Sequence, residues 1–325
     1  MTPERVLITG AGGFIGSHLT ERCVQLGWRV RAFVHYRGEH AAGWLERSAV
    51  LPDIEVVAGD VRDADAVHAA CKGVDTVFHL AALIGVPYSY VAPLAYLRTN
   101  VEGTHNVLQA ARAHGVGNIV LTSSSEIYGG ALYVPIDEQH PAMARSPYAA
   151  SKTAADQLAL SFWRAFDLPV KLLRPFNTYG PRQSPRAIIP SIIAQLAAGR
   201  QVKIGNTSPR RDFLFVDDTV AGFLAIAAAD RAVGEAVNIG TGTETSIAEL
   251  VHLIAEMMQI EVAVLEDPAR KRGQRIEVDR LLCDNRKARL YCSWEPRHSL
   301  RQGLRPTIEW IRSNPPATAP DAFVL

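Results

Sequence analysis

Tyr148 and Lys152, four apart in SPYAASK, offer acid–base chemistry at a single point. On a helix that spacing puts both on one face, one turn apart. An ammonium beside a phenol favours the phenolate and lowers its pKa. Such a phenol can take a hydroxyl proton while hydride leaves the same carbon. The spacing also arises by accident on amphipathic helices, so its place in the fold decides its meaning. In TSSSEIYG, residues 122–129, Glu126 stands just past the apolar run NIVLTS. A carboxylate at the end of a buried strand is costly unless it is used or paired. In TGAGGFIG, Gly10, Gly13 and Gly16 recur every third residue. Between a strand and a helix, such glycines let backbone approach a pyrophosphate while the helix N-terminus faces its charge.

The elements that must position these groups alternate. RVLITG, RVRAFV, IEVVAGD, DTVFHLAA, NIVLTSSS and PVKLLRPFN read as strands, and the runs between them as helices. Strict alternation predicts a parallel sheet with helices on both faces, a Rossmann-type doubly wound α/β fold. Past Pro175 the pattern changes: TYGPRQSPRAIIP reads as a loop, SIIAQLAAG as a helix and EAVNIGTG as a further strand. The expected division is a dinucleotide-binding domain of residues 1–175 plus about 212–240. A smaller mixed α/β substrate domain takes about 176–211 and 241–325.

Composition excludes several classes. A net charge of +1 over 325 residues gives no basic surface for nucleic acid or membrane. No run approaches the roughly 20 apolar residues of a membrane span, and MTPERVLITG enters a strand with no leader-like segment. Cys23, Cys71, Cys283 and Cys292 show no metal or CxxC spacing, as expected of inert thiols in a cytoplasmic protein. His18 and His105 lack ligand spacing, and no metal is expected.

These motifs resemble the extended short-chain dehydrogenase/reductases, the nucleotide-sugar epimerases and dehydratases. The resemblance spans nearly the whole chain. Within the group, SPYAASKTAADQLALSF, LRPFNTYGPRQSPRAIIP, RRDFLFVDDTVAGFLA and EVDRLLCDNRKA look like UDP-N-acetylglucosamine 4,6-dehydratases of the legionaminic-acid type. The resemblance implies a tightly bound, recycled NAD(P). Gly10, Gly13, Phe14, Ile15 and Gly16 would hold its pyrophosphate, Asp60 and Val61 its adenine, and Leu80, Ala81 and Ala82 would run beside it. Where NAD-specific members carry a ribose-binding acid at the end of the second strand, this chain has Val34. His35 and Arg37 lie next to it and suit a 2′-phosphate, which favours NADP slightly. Ser124 matches the third catalytic member beside Tyr148 and Lys152, and Asn100 matches a structural asparagine.

Glu126 occupies the place where dehydratases of the group carry their base. Oxidation at C4 acidifies the C5 hydrogen; a base removes it, the C6 hydroxyl leaves as water, and hydride returns to C6. Other members pair the glutamate with an aspartic acid, where this chain has Ser125, so Glu126 is expected to serve as both base and acid. UDP-glucuronate decarboxylases show a similar Ser-Glu, and a 4-epimerase shares the scaffold. A non-catalytic NADP-binding sensor is the reading of another class, which intact Tyr148 and Lys152 oppose. Glu126 as a mere cap or ion-pair partner also stays open. For the nucleotide-diphosphate sugar, the resemblance implies Asn177, Arg211 and Arg272, with Arg182 a weaker candidate. Helices 93–114 and 146–167 are apolar on more than one face, which calls for a partner, and the resemblance implies a homodimer through both.

Overall fold

The computed structural model describes residues 5–36, 42–270 and 278–315. In chain order the first half runs β1 (Arg5–Thr9), α1 (Phe14–Gln25), β2 (Arg29–His35), β3 (Ile54–Gly59), α2 (Ala64–Cys71) and β4 (Thr76–His79). There follow α3 (Val86–Val91), α4 (Pro93–Tyr96), α5 (Gly103–Ala113), β5 (Asn118–Thr122), α6 (Pro147–Phe166) and β6 (Val170–Pro175). The second half holds β7 (Asn177–Tyr179), α7 (Ile188–Ala198), β8 (Gln201–Ile204), β9 (Arg210–Arg211), β10 (Phe213–Phe215), α8 (Val216–Ala228) and β11 (Ala236–Ile239). It closes with β12 (Thr245–Ser246), α9 (Ile247–Met258), β13 (Ala263–Glu266), β14 (Arg280–Leu281), α10 (Arg286–Cys292) and α11 (Leu300–Ser313).

Seven strands form one parallel sheet in the order β11-β6-β5-β4-β1-β2-β3. The inner strands β1, β4 and β5 are buried nearly throughout because helices cover both faces, whereas edge strand β3 is largely exposed and carries Glu55. Val6, Ile8, Phe78, Val120 and Leu173 pack on one face with α1 and α8 residues such as Leu19 and Phe223. Leu7, Val77, Ile119, Leu121 and Leu172 point the other way, against Val107, Leu108 and Phe162 of α5 and α6. This is the two-residue alternation of a strand written twice, once for each layer. Strand order reverses between β1 and β4, and ligands of open α/β sheets bind at the carboxyl ends beside such a switch point. The glycine turn and the segment after β4 both lie there. A separate core joins Ile192 and Leu196 of α7, Leu250 and Ile254 of α9, and Leu304 and Ile308 of α11.

Two elements differ from the sequence expectation. The single helix expected over 93–114 is interrupted by a π turn at Leu97–Glu102. Asn100 explains the break: its side chain accepts from Leu83 N at 2.8 Å and donates to Leu83 O at 3.0 Å and Ser151 Oγ at 2.9 Å. Binding the loop after β4 in this way competes with a regular helix, and π turns often mark functional regions. The run AAGWLERS gives only a short 3₁₀ turn, Gly43–Arg47, whose Trp44 N donates to Gly12 O at 3.0 Å.

Candidate active site

The glycine turn leaves β1 with Gly10 at φ +71°, where a Cβ would lie 2.8 Å from Ala81 N. At Gly16 a Cβ would meet Gly10 O at 2.2 Å. Side chains would fill this cradle, and no side chain caps α1 at Gly13. The turn therefore keeps the backbone approach and helix N-terminus that a dinucleotide pyrophosphate needs. Phe14 and Ile15 open the helix, and Leu80, Ala81 and Ala82 form the facing wall. Their placement is set by Thr9, whose Oγ1 accepts from Leu80 N and Ala81 N, each at 3.2 Å.

Those two accepted bonds define the neighbouring histidine. Thr9 must donate to His79 Nδ1, 2.7 Å away, so the ring proton sits on Nε2 and is given to Thr104 Oγ1 at 3.1 Å. Burial, aided by the charge on Lys152, pushes His79 down to about 3. It is a neutral link between the cofactor turn and α5.

At the end of β2, Val34 is buried while His35 is exposed, its Nδ1 3.8 Å from Asp60 Oδ2. Arg37 lies outside the described residues. The Asp60 carboxylate is taken up by Arg62 through backbone N and Nε, each at 2.9 Å, and held down to about 2 mainly by that guanidinium. Val61 is buried against Gly103.

The acid–base helix begins with Ser146, whose Oγ accepts from Ala149 N at 3.1 Å, and with Pro147 in the first turn. Tyr148 is thereby fixed at the start of α6, with Lys152 one turn on. The Tyr148 phenol is hydrogen-bonded to Ser124 and feels the Glu126 carboxylate. The ring of Tyr96 packs edge-on at 6.2 Å. The phenol is not lowered in the protein alone: burial pushes it up to about 12, with Glu126 adding in the same direction. This corrects the sequence expectation. Lys152 is itself pushed down to about 8 by burial, which weakens the cation meant to favour the phenolate. Ser124 begins the turn Ser125–Tyr128, and its Oγ also accepts from Glu126 N at 3.2 Å. Ser125 is buried beside them.

Asn177 on β7 has a buried Oδ1 with no hydrogen-bond partner among the described residues. Arg211 on β9 is buried and donates through Nη1 to Arg210 O at 3.0 Å. Arg182 is employed elsewhere. Its guanidinium donates to Ser17 Oγ at 3.1 Å and Glu21 Oε1 at 2.9 Å, tying its loop to α1. Arg272 lies outside the described residues. Among the described residues no cluster of three His, Cys, Asp or Glu side chains is arranged to hold a metal, and no helix is long and apolar enough to cross a membrane.

Sequence reasoning missed Tyr96, Tyr128, Asp156 and Arg174, which pack beneath or beside Ser124, Tyr148 and Lys152. A signal existed: Asp156 lies four residues past Lys152 on the same helix face, and Arg174 interrupts the otherwise apolar KLLRPF.

A switch-point glycine turn facing a buried serine, tyrosine and lysine defines a dinucleotide-dependent enzyme of the short-chain dehydrogenase/reductase type. A family model described as GDP-mannose 4,6 dehydratase matches residues 7–307. The chain belongs to that family, among the extended nucleotide-sugar dehydratases and epimerases. It is 34% identical over 314 residues to dTDP-glucose 4,6-dehydratase of Streptomyces antibioticus, covering 95% of this chain and 92% of the relative. It is 35% identical over 315 residues to UDP-glucose 4-epimerase of Mycolicibacterium smegmatis, covering 95% and 99%. The crystal structure of a DesIV double mutant from Streptomyces venezuelae, a dTDP-glucose 4,6-dehydratase with NAD bound, superposes with a TM-score of 0.86 at 30% identity, covering 95% of this chain and 97% of that one.

Proposed function

We propose that the chain is a nucleotide-sugar 4,6-dehydratase acting on a UDP-hexose, UDP-N-acetylglucosamine being the first substrate to try. One observation carries this reading: the Glu126 carboxylate stands within electrostatic reach of the Tyr148 phenol. One site thus offers a phenol for hydride chemistry and a separate base, which simple dehydrogenation does not need.

Bound NAD(P) would take hydride from C4, return it to C6 and add positive charge beside the phenol. Tyr148 takes the C4 hydroxyl proton, and Ser124 hydrogen-bonds the same oxygen. Lys152 supplies the fixed cation. Glu126 removes the C5 proton made acidic by the C4 carbonyl and, with Ser125 in place of a carboxylic acid, gives that proton to the departing C6 hydroxyl. The hydroxyl leaves as water, hydride goes to C6, and C5 regains a proton that exchanges with solvent.

In this reading Asn177, Arg211 and Arg272 hold the sugar diphosphate, within a substrate domain of about 176–211 and 241–325. His35 and, two residues on in the sequence, Arg37 favour NADP, although the similar DesIV structure contains NAD; mass spectrometry of cofactor released from the purified protein decides between them. Exposed Leu94, Leu97 and Phe166 on helices 93–114 and 146–167 support a homodimer through those helices.

The second reading is a 4-epimerase or glucuronate decarboxylase, favoured by the 35% identity to an epimerase. Incubation with UDP-N-acetylglucosamine, UDP-glucose and UDP-glucuronate, followed by mass spectrometry, separates the three. Loss of water supports the dehydratase. An isomer of unchanged mass, or loss of carbon dioxide, overturns it.

A further inference from the structure

One turn beyond Lys152 lies a carboxylate that the reaction above does not use. Asp156 is 3% exposed. Its Oδ2 accepts from Ser123 Oγ at 2.8 Å, Arg174 Nη2 at 3.0 Å and Arg174 Nε at 3.2 Å. Arg174 on β6 also donates through Nη1 to Tyr128 OH at 3.0 Å, and Tyr128 donates to Asn238 Oδ1 at 2.7 Å. Three members of this network neighbour groups assigned to the reaction centre. Ser123 directly precedes Ser124, Tyr128 lies two residues past Glu126, and Asp156 shares a helix face with Tyr148 and Lys152.

Charge adds a second line of argument. Lys152, Arg174 and Asp156 are all buried, and burial pushes the Asp156 carboxyl up against the opposing pull of Arg174, Ser123 and Lys152. A buried ion needs a compensating partner. Arg174 alone would satisfy Asp156 as a structural pair, but the acid also lies where its field reaches Lys152. The titratable and charged groups acting on the pair are Arg174 from β6, His79 from β4 and Tyr148 on α6 itself, while Tyr96 of α4 and Glu126 act on Tyr148, and Tyr128 is held by Arg174.

We propose that Asp156 is a positioning residue for the hydride step, holding Ser123 and hence Ser124 against the Tyr148 phenol and supplying the negative charge that keeps Lys152 cationic. Asp156 opposes the burial that pushes Lys152 down to about 8. The proposal rests on the assignment of Tyr148 and Lys152 to hydride chemistry. It does not depend on Glu126 or on the fate of the C4 ketone, so dehydratase, epimerase and decarboxylase readings all leave it standing or falling alone.

The test uses Asp156→Asn in the full chain, with two readouts. The first needs no substrate: urea-unfolding stability is followed against pH for the variant, with and without Lys152→Met, to isolate the lysine's inflection. The expected result is an inflection moved to lower pH by about one unit or more, restored by Asp156→Glu. The second is the pH profile of single-turnover cofactor reduction on mixing with UDP-N-acetylglucosamine, UDP-glucose or dTDP-glucose, whose basic limb should move by the same amount. An unmoved inflection in a folded Asp156→Asn protein overturns the proposal. Should that variant not fold, Ser123→Ala carries the test. It should slow cofactor reduction about tenfold at unchanged KM and unchanged basic limb, as loss of one hydrogen bond predicts. A wild-type rate in Ser123→Ala overturns the proposal in that case.

Discussion

Replacing Lys152 with methionine should make the protein more stable at pH 7 while abolishing its chemistry. The ammonium is fully enclosed, and burial drives it from its ordinary 10.5 down to about 8, with Asp156 resisting. Between those two values the unfolded chain binds more protons than the folded one. Stability therefore rises with pH across the window and is lost again as pH falls through about 8. A displacement of about 2.5 units corresponds to about 3 kcal/mol, the penalty for carrying the charge folded at pH 7. Methionine keeps the stem's volume without the charge, and Asp156 keeps Arg174 as its partner at 3.0 Å. The expected gain is up to about 3 kcal/mol at pH 7, shrinking toward zero near pH 10.5. Urea unfolding of cofactor-stripped protein at several pH values between 7 and 10.5, variant against wild type, reads this because the groups that Lys152 perturbs, His79 and Asp156, titrate below that range while the rest cancel. A less stable variant at pH 7, or a difference constant from pH 7 to 10.5, refutes the reasoning. The predicted trade of stability for activity is common at functional sites.

Tyr148→Phe removes the acid–base phenol and should slow cofactor reduction about 1,000-fold, measured as absorbance in a single turnover. Glu126→Gln should leave that reduction largely intact and cut water loss about 100-fold or more, so that a 4-keto sugar or reduced cofactor accumulates. Gly16→Ala puts a Cβ 2.2 Å from Gly10 O, and opening the turn should lower cofactor affinity about tenfold or more, seen as less dinucleotide retained through gel filtration. Leu97→Glu should shift the gel-filtration profile from dimer to monomer, the parent protein running as a dimer.

The sheet was legible because parallel strands buried on both faces leave continuous apolar runs such as VLIT and NIVLT, with helical patterns between them. The late strand Ala236–Ile239 was readable for the same reason and joins the sheet edge beside β6. The π turn was not, because Asn100 breaks the helix through bonds to Leu83, a partner distant in sequence, and no local pattern shows that. At the site, the Tyr148–Lys152 spacing and the glycines carried their meaning in short windows. The direction of the phenol's shift did not, because burial is a property of the whole packed structure and here outweighs the charge that the spacing implies. Arg182 illustrates the same limit: as an arginine in a loop it suits a phosphate, yet Glu21 and Ser17 hold it. Asp156 and Arg174 were visible as letters, but their pairing joins a helix to a strand across 18 residues.

The central claim is that Glu126 removes the proton from C5 during loss of water. Turnover of UDP-N-acetylglucosamine or UDP-glucose in heavy water, with the product examined by NMR and mass spectrometry, tests it most directly. The account predicts one deuterium at C5 in a product lighter by one water, formed about 100-fold or more slowly by Glu126→Gln. A dehydrated product retaining its original C5 hydrogen, or normal turnover by Glu126→Gln, would contradict it.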